Sequence, residues 1–320
     1  MNEVLQLISK IGIVPVIVIE EEENAVPLAR ALVEGGLPVA EITFRTDSAE
    51  KAIRAIKREV PEILVGAGTI LSRDQLDRAL TAGAEFIVTP GFNPSIVKYG
   101  LSKNALILPG TATGGEMEQA MAMGVEVVKF FPAEDNGGVK KLMAMAGPYT
   151  DLMWLPTGGI NLTNLIDYLS FDRIIACGGT WMVKKDLIER KDWRQITQTC
   201  KEAVHTMLGI ELAHVGINCD SEKKAKEMAE HVSSLLGYSP RQMRKSWFVG
   251  DDIEYMNQPG FGQNGHIAFK TNSVKRAMYH LSRKGIEFDS SSISYNSKGD
   301  PTLAYIKGNF GGFAIHLVNR

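Results

Sequence analysis

Over residues 1–210, short apolar runs of strand character alternate with segments of helical period. No other feature constrains the fold as much. The runs lie at Ile13–Ile19, Val39–Arg45, Leu64–Ile70, Phe86–Gly91, Leu106–Thr111, Val127–Ala133, Leu152–Ile160 and Ile174–Trp181. Between them, stretches such as SAEKAIRAIKREV, SRDQLDRALTAG and GGEMEQAMAMG have helical spacing, and Gly or Pro marks most junctions. A long helical stretch over 185–208 follows the last run. Eight strand–helix units, roughly 20–25 residues apart after a short N-terminal helix, predict an α/β fold, a closed parallel (β/α)8 TIM barrel. An open doubly wound sheet has fewer strands and a Gly-rich nucleotide turn after the first. Here the first run leads into Glu20–Glu23, which would repel a phosphate.

Side chains of a barrel strand alternate between lumen and helix layer. Val39, Glu41, Thr43 and Arg45 share one parity, while Ala40, Ile42 and Phe44 share the other and suit the helix layer. Thr69 falls on one face of the third run, and Lys129 on one face of the sixth. Glu41, Arg45, Thr69 and Lys129 are therefore expected to meet inside the barrel, toward the strand C-terminal ends where active sites of this fold lie. Burial in a run as apolar as VEVVKFFPA disfavours the charged form of an amine and leaves a nucleophile. The alternative is a structural lysine paired to Glu41. Gly158 and Gly159, before a helix expected from Asn161, and Gly178, Gly179 and Thr180 mark the seventh and eighth strand ends. Such loops are the usual barrel anion site, though they are also plain tight turns.

The chain has 320 residues, 35 of them basic and 37 acidic, a net charge of −2. That balance argues against a generally basic nucleic-acid binder. No apolar run approaches the roughly 18 residues of a spanning helix, and MNEVLQLISK is no secretory signal. Cys177, Cys200 and Cys219, odd in number and widely spaced, suggest reduced thiols in a cytoplasmic protein. All six histidines lie at or beyond His205. Acid–base chemistry before that point must use carboxylate, lysine, tyrosine or cysteine. Residues 211–320 carry 14 basic and 11 acidic side chains, against 21 and 26 before them. Two domains, 1–208 and 211–320, are expected.

The motifs EITFR (41–45), GAGT (66–69), TPGF (89–92), KFFPAE (129–134), PTGGI (156–160) and GGTW (178–181) resemble, in order, the KDPG/KHG aldolases. KDPG is 2-keto-3-deoxy-6-phosphogluconate and KHG is 4-hydroxy-2-oxoglutarate. The resemblance covers about residues 1–207. It implies a class I aldolase in which Lys129 forms a Schiff base and Glu41 is the general acid/base. It also implies that Arg45 and Thr69 hold the 2-oxo acid carboxylate, that Pro90, Gly91 and Phe131 line the pocket, and that Gly158, Gly159 and Thr180 receive the distal anion. Thr180 stands where the family has serine; its extra methyl narrows the distal site. Pyruvate plus glyceraldehyde 3-phosphate or glyoxylate would be the products, with no metal or other cofactor needed, in a homotrimer. The lack of barrel histidines agrees, because metal-dependent aldolases need histidine ligands. The alternatives are a phosphate-binding barrel isomerase or epimerase, which would want a second base, and a catalytically silent binding protein.

Residues 211–320 repeat a strand–helix–strands pattern at an offset of about 52 residues. The pattern resembles a vicinal-oxygen-chelate, glyoxalase-like domain, a smaller α+β unit of paired βαβββ modules. His214 and His266 hold equivalent first-strand places, and Glu254 and His316 equivalent last-strand places. In that family the corresponding places hold a divalent metal, and His316 stands where Glu is common. Such a set suits zinc, iron, nickel or manganese. The alternative is a metal-free domain serving dimerisation or substrate binding.

Overall fold

A computed structural model describes residues 2–320. The chain divides into two compact units, Met1–Met207 and Leu208–Arg320.

In the first unit the strands are β1 Ile13–Ile17, β2 Val39–Thr43, β3 Leu64–Gly68, β4 Phe86–Val88, β5 Ile107–Leu108, β6 Gly110–Thr111, β7 Val127–Phe130, β8 Met153–Pro156 and β9 Cys177–Gly179. All pairings are parallel. One sheet runs β5-β4-β3-β2-β1-β9 and another β6-β7-β8. β5 and β6 are one strand interrupted at Pro109. Ile107 and Leu108 pair with β4, and Gly110 and Thr111 pair with β7. The isolated pairs Trp154–Ile174 and Thr157–Gly178 link β8 to β9. The pairings thus pass through eight strand positions and return to β1. Strands covered on both faces must be apolar throughout, and β1, β2, β3 and β7 are buried at every residue.

The helices follow the sequence spacing. In Ala49–Glu59, Ala52, Ile53, Ala55 and Ile56 are buried, while Lys57 and Arg58 close the last turn, where cations suit the helix dipole. Two expectations fail. The stretch 185–208 is two helices, Lys185–Glu189 and Trp193–Leu208. Lys191 between them has φ 57°, a left-handed residue that ends the first helix. No helix starts at Asn161 either: the helix is Leu165–Leu169, preceded by a turn in which Asn161 Oδ1 accepts from Thr163 N (2.9 Å).

Seven of the eight predicted strands are also shorter at the C-terminal end, while the fifth ends at Thr111 as expected. Phe44 to Arg45, Thr69 to Ile70, Thr89 to Gly91, Phe131 to Ala133, Thr157 to Ile160 and Thr180 to Trp181 lie in loops just past the strands. Thr69 (φ 57°), Gly158 (φ 102°) and Gly159 (φ 78°) turn left-handed there, which no strand can accommodate.

In the second unit the strands are β10 Glu211–Asn218, β11 Pro240–Gln242, β12 Ser246–Val249, β13 Ile253–Met256, β14 Gly265–Thr271, β15 Ser294–Tyr295, β16 Pro301–Phe310 and β17 Phe313–Asn319. They form one sheet in the order β11-β12-β13-β10-β14-β17-β16-β15. Each half has its first strand innermost, then its last, third and second, so the sequence repeat is a twofold repeat of the sheet. The helix Glu222–Leu236 packs Ala225 and Ala229 against Val249 and Tyr255. By strand alternation, Phe248 and Glu254 face the other way.

Candidate active site

Glu41 on β2 and Lys129 on β7 are distant in sequence but meet in the lumen of the first unit. Lys129 Nζ lies 3.2 Å from Glu41 Oε1. The side chains are 6% and 1% exposed, so both charges are removed from water. Such burial is costly, and a buried ion pair is at best weakly stabilising against apolar replacements of the same size. Packing energy therefore gives no reason for the pair, whereas a reaction would. Glu41 Oε2 is buried without a hydrogen-bond partner among the described residues. The Phe131 ring centre is 5.1 Å from Lys129 Nζ.

Gly68 shows how tightly the carboxyl is held: a Cβ there would stand 2.2 Å from Glu41 Oε1. Thr43, on the Glu41 face, donates its hydroxyl to the Ile17 carbonyl at 2.9 Å and ties β2 to β1.

Glu41, Lys129, Arg45, Thr69, Pro90, Phe131, Gly158, Gly159 and Thr180 all line one cavity. Arg45 is exposed and reaches in from the loop, not from the strand face that parity assigned to it. Its Nε donates to Thr69 Oγ1 at 3.4 Å. Gly91 is the exception. It lies outside the cavity lining and is exposed, and its carbonyl accepts the Thr89 hydroxyl at 2.7 Å. Gly158 and Gly159 sit in the turn after β8, and Gly178 and Gly179 lie within β9, so none of them opens a helix and an anion there meets no helix terminus.

Thr157 was not singled out from the sequence, although it stands inside PTGGI. Its hydroxyl is buried, unpartnered among the described residues, and on the cavity wall. Gly178 gives it room, since a Cβ there would stand 2.2 Å from Thr157 Oγ1. Val16, Val18 and Ile160 add apolar wall.

In the second unit, strand register brings the four singled-out side chains to one face. One row runs His214–Ala268–His316–Tyr305, and the adjacent row runs Phe248–Glu254–Gly216–His266–Ala314. The three imidazoles offer ring nitrogens within 4.8 Å of one another. His214 and His266 Nε2 are 3.1 Å apart, and Glu254 Oε2 is 3.3 and 3.1 Å from them. Ser246 donates to Glu254 Oε1 at 2.5 Å. Burial alone would raise the Glu254 carboxyl, but hydrogen bonds from His214, His266 and Ser246 outweigh it and hold the group well below the ordinary carboxylate range. Burial, reinforced by the neighbouring His266, pushes His316 down to about 4. Gly216 is small for a reason: a Cβ there would stand 2.1 Å from His266 Cε1.

A buried lysine facing a buried carboxylate at the strand ends of a parallel α/β unit equips a protein for covalent chemistry on a carbonyl carbon. Comparison with known proteins agrees. Residues 4–199 match the family model described as KDPG and KHG aldolase. The 2-dehydro-3-deoxy-phosphogluconate aldolase of Treponema pallidum (strain Nichols) is 44% identical over 204 residues, covering 64% of this chain and 97% of that one. The KHG/KDPG aldolase of Escherichia coli (strain K12) is 46% identical over 192 residues, 60% of this chain and 90% of that one. Among solved structures, a KDPG aldolase from Legionella pneumophila, with pyruvate captured at low pH as a covalent carbinolamine intermediate, matches with TM-score 0.60 and 36% identity. It covers 62% of this chain and 97% of that one. The class is that of carbon–carbon lyases. The chain belongs to the KDPG and KHG aldolase family.

Proposed function

We propose that the first unit, read as a (β/α)8 barrel, reversibly cleaves a 2-oxo-4-hydroxy acid, KDPG or 4-hydroxy-2-oxoglutarate, to pyruvate and an aldehyde. The aldehyde is glyceraldehyde 3-phosphate or glyoxylate. The Lys129 amine attacks the C2 carbonyl, and Glu41 moves protons as the carbinolamine loses water to an iminium. The iminium accepts the electron pair of the C3–C4 bond when the C4 hydroxyl is deprotonated, and the aldehyde leaves. The enamine that remains is protonated at C3, and water releases pyruvate and restores the amine. Arg45 and Thr69 hold the carboxylate, Pro90 and Phe131 wall the reacting carbons, and Gly158, Gly159 and Thr180 face the distal group. The observation that carries this reading is the buried Lys129–Glu41 pair at 3.2 Å. Pyruvate release from 4-hydroxy-2-oxoglutarate and from KDPG tests it. Turnover of at least one is expected, with kcat lowered by about 10²–10⁴ in Glu41→Gln. Turnover of neither by folded protein would overturn it.

The second unit is read as a vicinal-oxygen-chelate-like domain holding a divalent metal on His214, His266, His316 and Glu254. The donors fit a borderline cation: convergent imidazole nitrogens, a carboxylate, and Ser246 orienting that carboxylate from behind. A cation there would polarise carbonyl oxygens. A trimeric assembly and a cytoplasmic location complete the reading. The first rests on the family resemblance, and the second on three free cysteines.

A further inference from the structure

We propose that the histidine-rich centre of the second unit takes a small monoanionic chelator, a 2-oxo acid, in preference to a neutral dicarbonyl, and that His316 sets this preference. The inference rests on the reading above that the centre holds a divalent metal. It concerns what that centre then accepts.

The twofold sheet register pairs Glu254 with His316, and Phe248 with Tyr305. Symmetry is broken at both places. A symmetric centre would present two carboxylates, which balance a divalent cation. This one presents a single carboxylate and three neutral donors, leaving one positive charge uncompensated. The charge sits where His266 and His316 are buried, 5% and 4% exposed, so water screens it weakly. A ligand bringing one negative charge restores balance, whereas a neutral ligand of the same shape does not.

The second break puts a tyrosine where the other half has a phenylalanine, next to a cleft that a ligand could enter. Tyr305 stands 4.7 Å from His316, ring to ring, and with Ala314 it also lines a cleft of about 360 Å³ whose lining includes none of the four donors, so Tyr305 is the link between the two. Phe261 stacks on Tyr305 at 4.2 Å, and Phe313 adds a third ring. These walls suit a short apolar chain attached to two adjacent oxygens. Of the charged residues on the cleft, Lys307 pairs with Glu287 at 3.1 Å, while Asp289 accepts from Ser291 and keeps its charge on the cleft side away from the four donors' own ion pairs. Among the described residues Glu254 is the one carboxylate bonded to the histidines, so the compensating charge is left to the ligand. A 2-oxo acid satisfies every condition, and it is the kind of molecule the proposed barrel reaction releases.

The test uses full-length protein carrying Lys129→Ala, so that the barrel cannot capture pyruvate covalently, loaded with Co²⁺. One equivalent of Co²⁺ is expected, lost in His266→Ala. The visible absorption of Co²⁺ is then titrated with pyruvate and with 2,3-butanedione, its near-isosteric neutral counterpart. Pyruvate is expected to saturate the spectral change at a concentration about tenfold lower or less. His316→Glu is expected to keep the Co²⁺ and bring the two ligands together. Equal response, stronger response to butanedione, or no response to pyruvate would overturn the preference while leaving the metal reading intact. Failure to hold one equivalent of Co²⁺ would overturn both. Neither result touches the aldolase reading.

Discussion

At the residue scale, the first unit invests buried charge where apolar packing would serve stability as well. Removing one partner of such a pair typically costs roughly 3–5 kcal/mol, because the other is left buried and alone. Gly68 offers a cleaner probe, since it touches neither charge chemically. A methyl at Gly68 must displace the Glu41 carboxyl, whose Oε1 would be 2.2 Å from it. Gly68→Ala is expected to lower kcat/KM by about 10²-fold, the usual effect of an ångström-scale misplacement. Circular dichroism should stay native. Unchanged activity would mean that the position of Glu41 does not matter to the reaction. Glu41 and Lys129 were legible in the sequence because strand parity and an apolar run single them out. Thr157 was not, because a lone threonine before Gly-Gly looks like a turn residue until its unpartnered hydroxyl is seen on the cavity wall.

At the element scale, the eight-unit alternation was legible and the strand ends were not. Apolar character runs on past all strands but the fifth because the loops beyond are covered or line the cavity, so composition carries no signal where hydrogen-bonded pairing stops. The residues that line the cavity are largely those loop residues. Their backbones are held by cross-loop bonds such as Ala133 N to Thr157 O (2.8 Å) and Glu134 N to Gly158 O (3.1 Å). The helices around them owe part of their stability to caps, and Gly114–Ala122 has the clearest one. Glu116 Oε2 accepts from Ala112 N (2.8 Å) and from the Thr113 backbone and hydroxyl (both 2.9 Å). Burial opposes its ionisation, but these bonds, with Lys141 nearby, leave its carboxyl below the ordinary value. A carboxyl lowered on folding contributes stability that is fully present above its unfolded value of about 4.5. That stability is lost as pH falls through the lower folded value. Glu116→Gln is therefore expected to destabilise by about 1 kcal/mol at neutral pH. The gap to wild type, measured by urea unfolding, should shrink steadily below about pH 4.5. A gap that does not change with pH would place the cap's contribution in shape alone.

At the scale of the whole molecule, charge balance and the histidine gap marked the division into two parts. Unit boundaries at Met207 and Leu208 fall at the end of the helix Trp193–Leu208. The twofold nature of the second unit was legible because a repeat of about 52 residues preserves its first-strand histidines. The equivalence of Phe248 and Tyr305 was not, because the halves differ in loop length and only sheet register aligns them. The account's central claim is covalent chemistry at Lys129. The most direct test is borohydride reduction of the full-length protein in the presence of pyruvate, followed by peptide mass mapping, with Lys129→Ala as control. The account predicts one pyruvate-derived adduct on the peptide containing Lys129, and none in the folded variant. Folded wild-type protein that forms no adduct, or forms it equally in the variant, would contradict it.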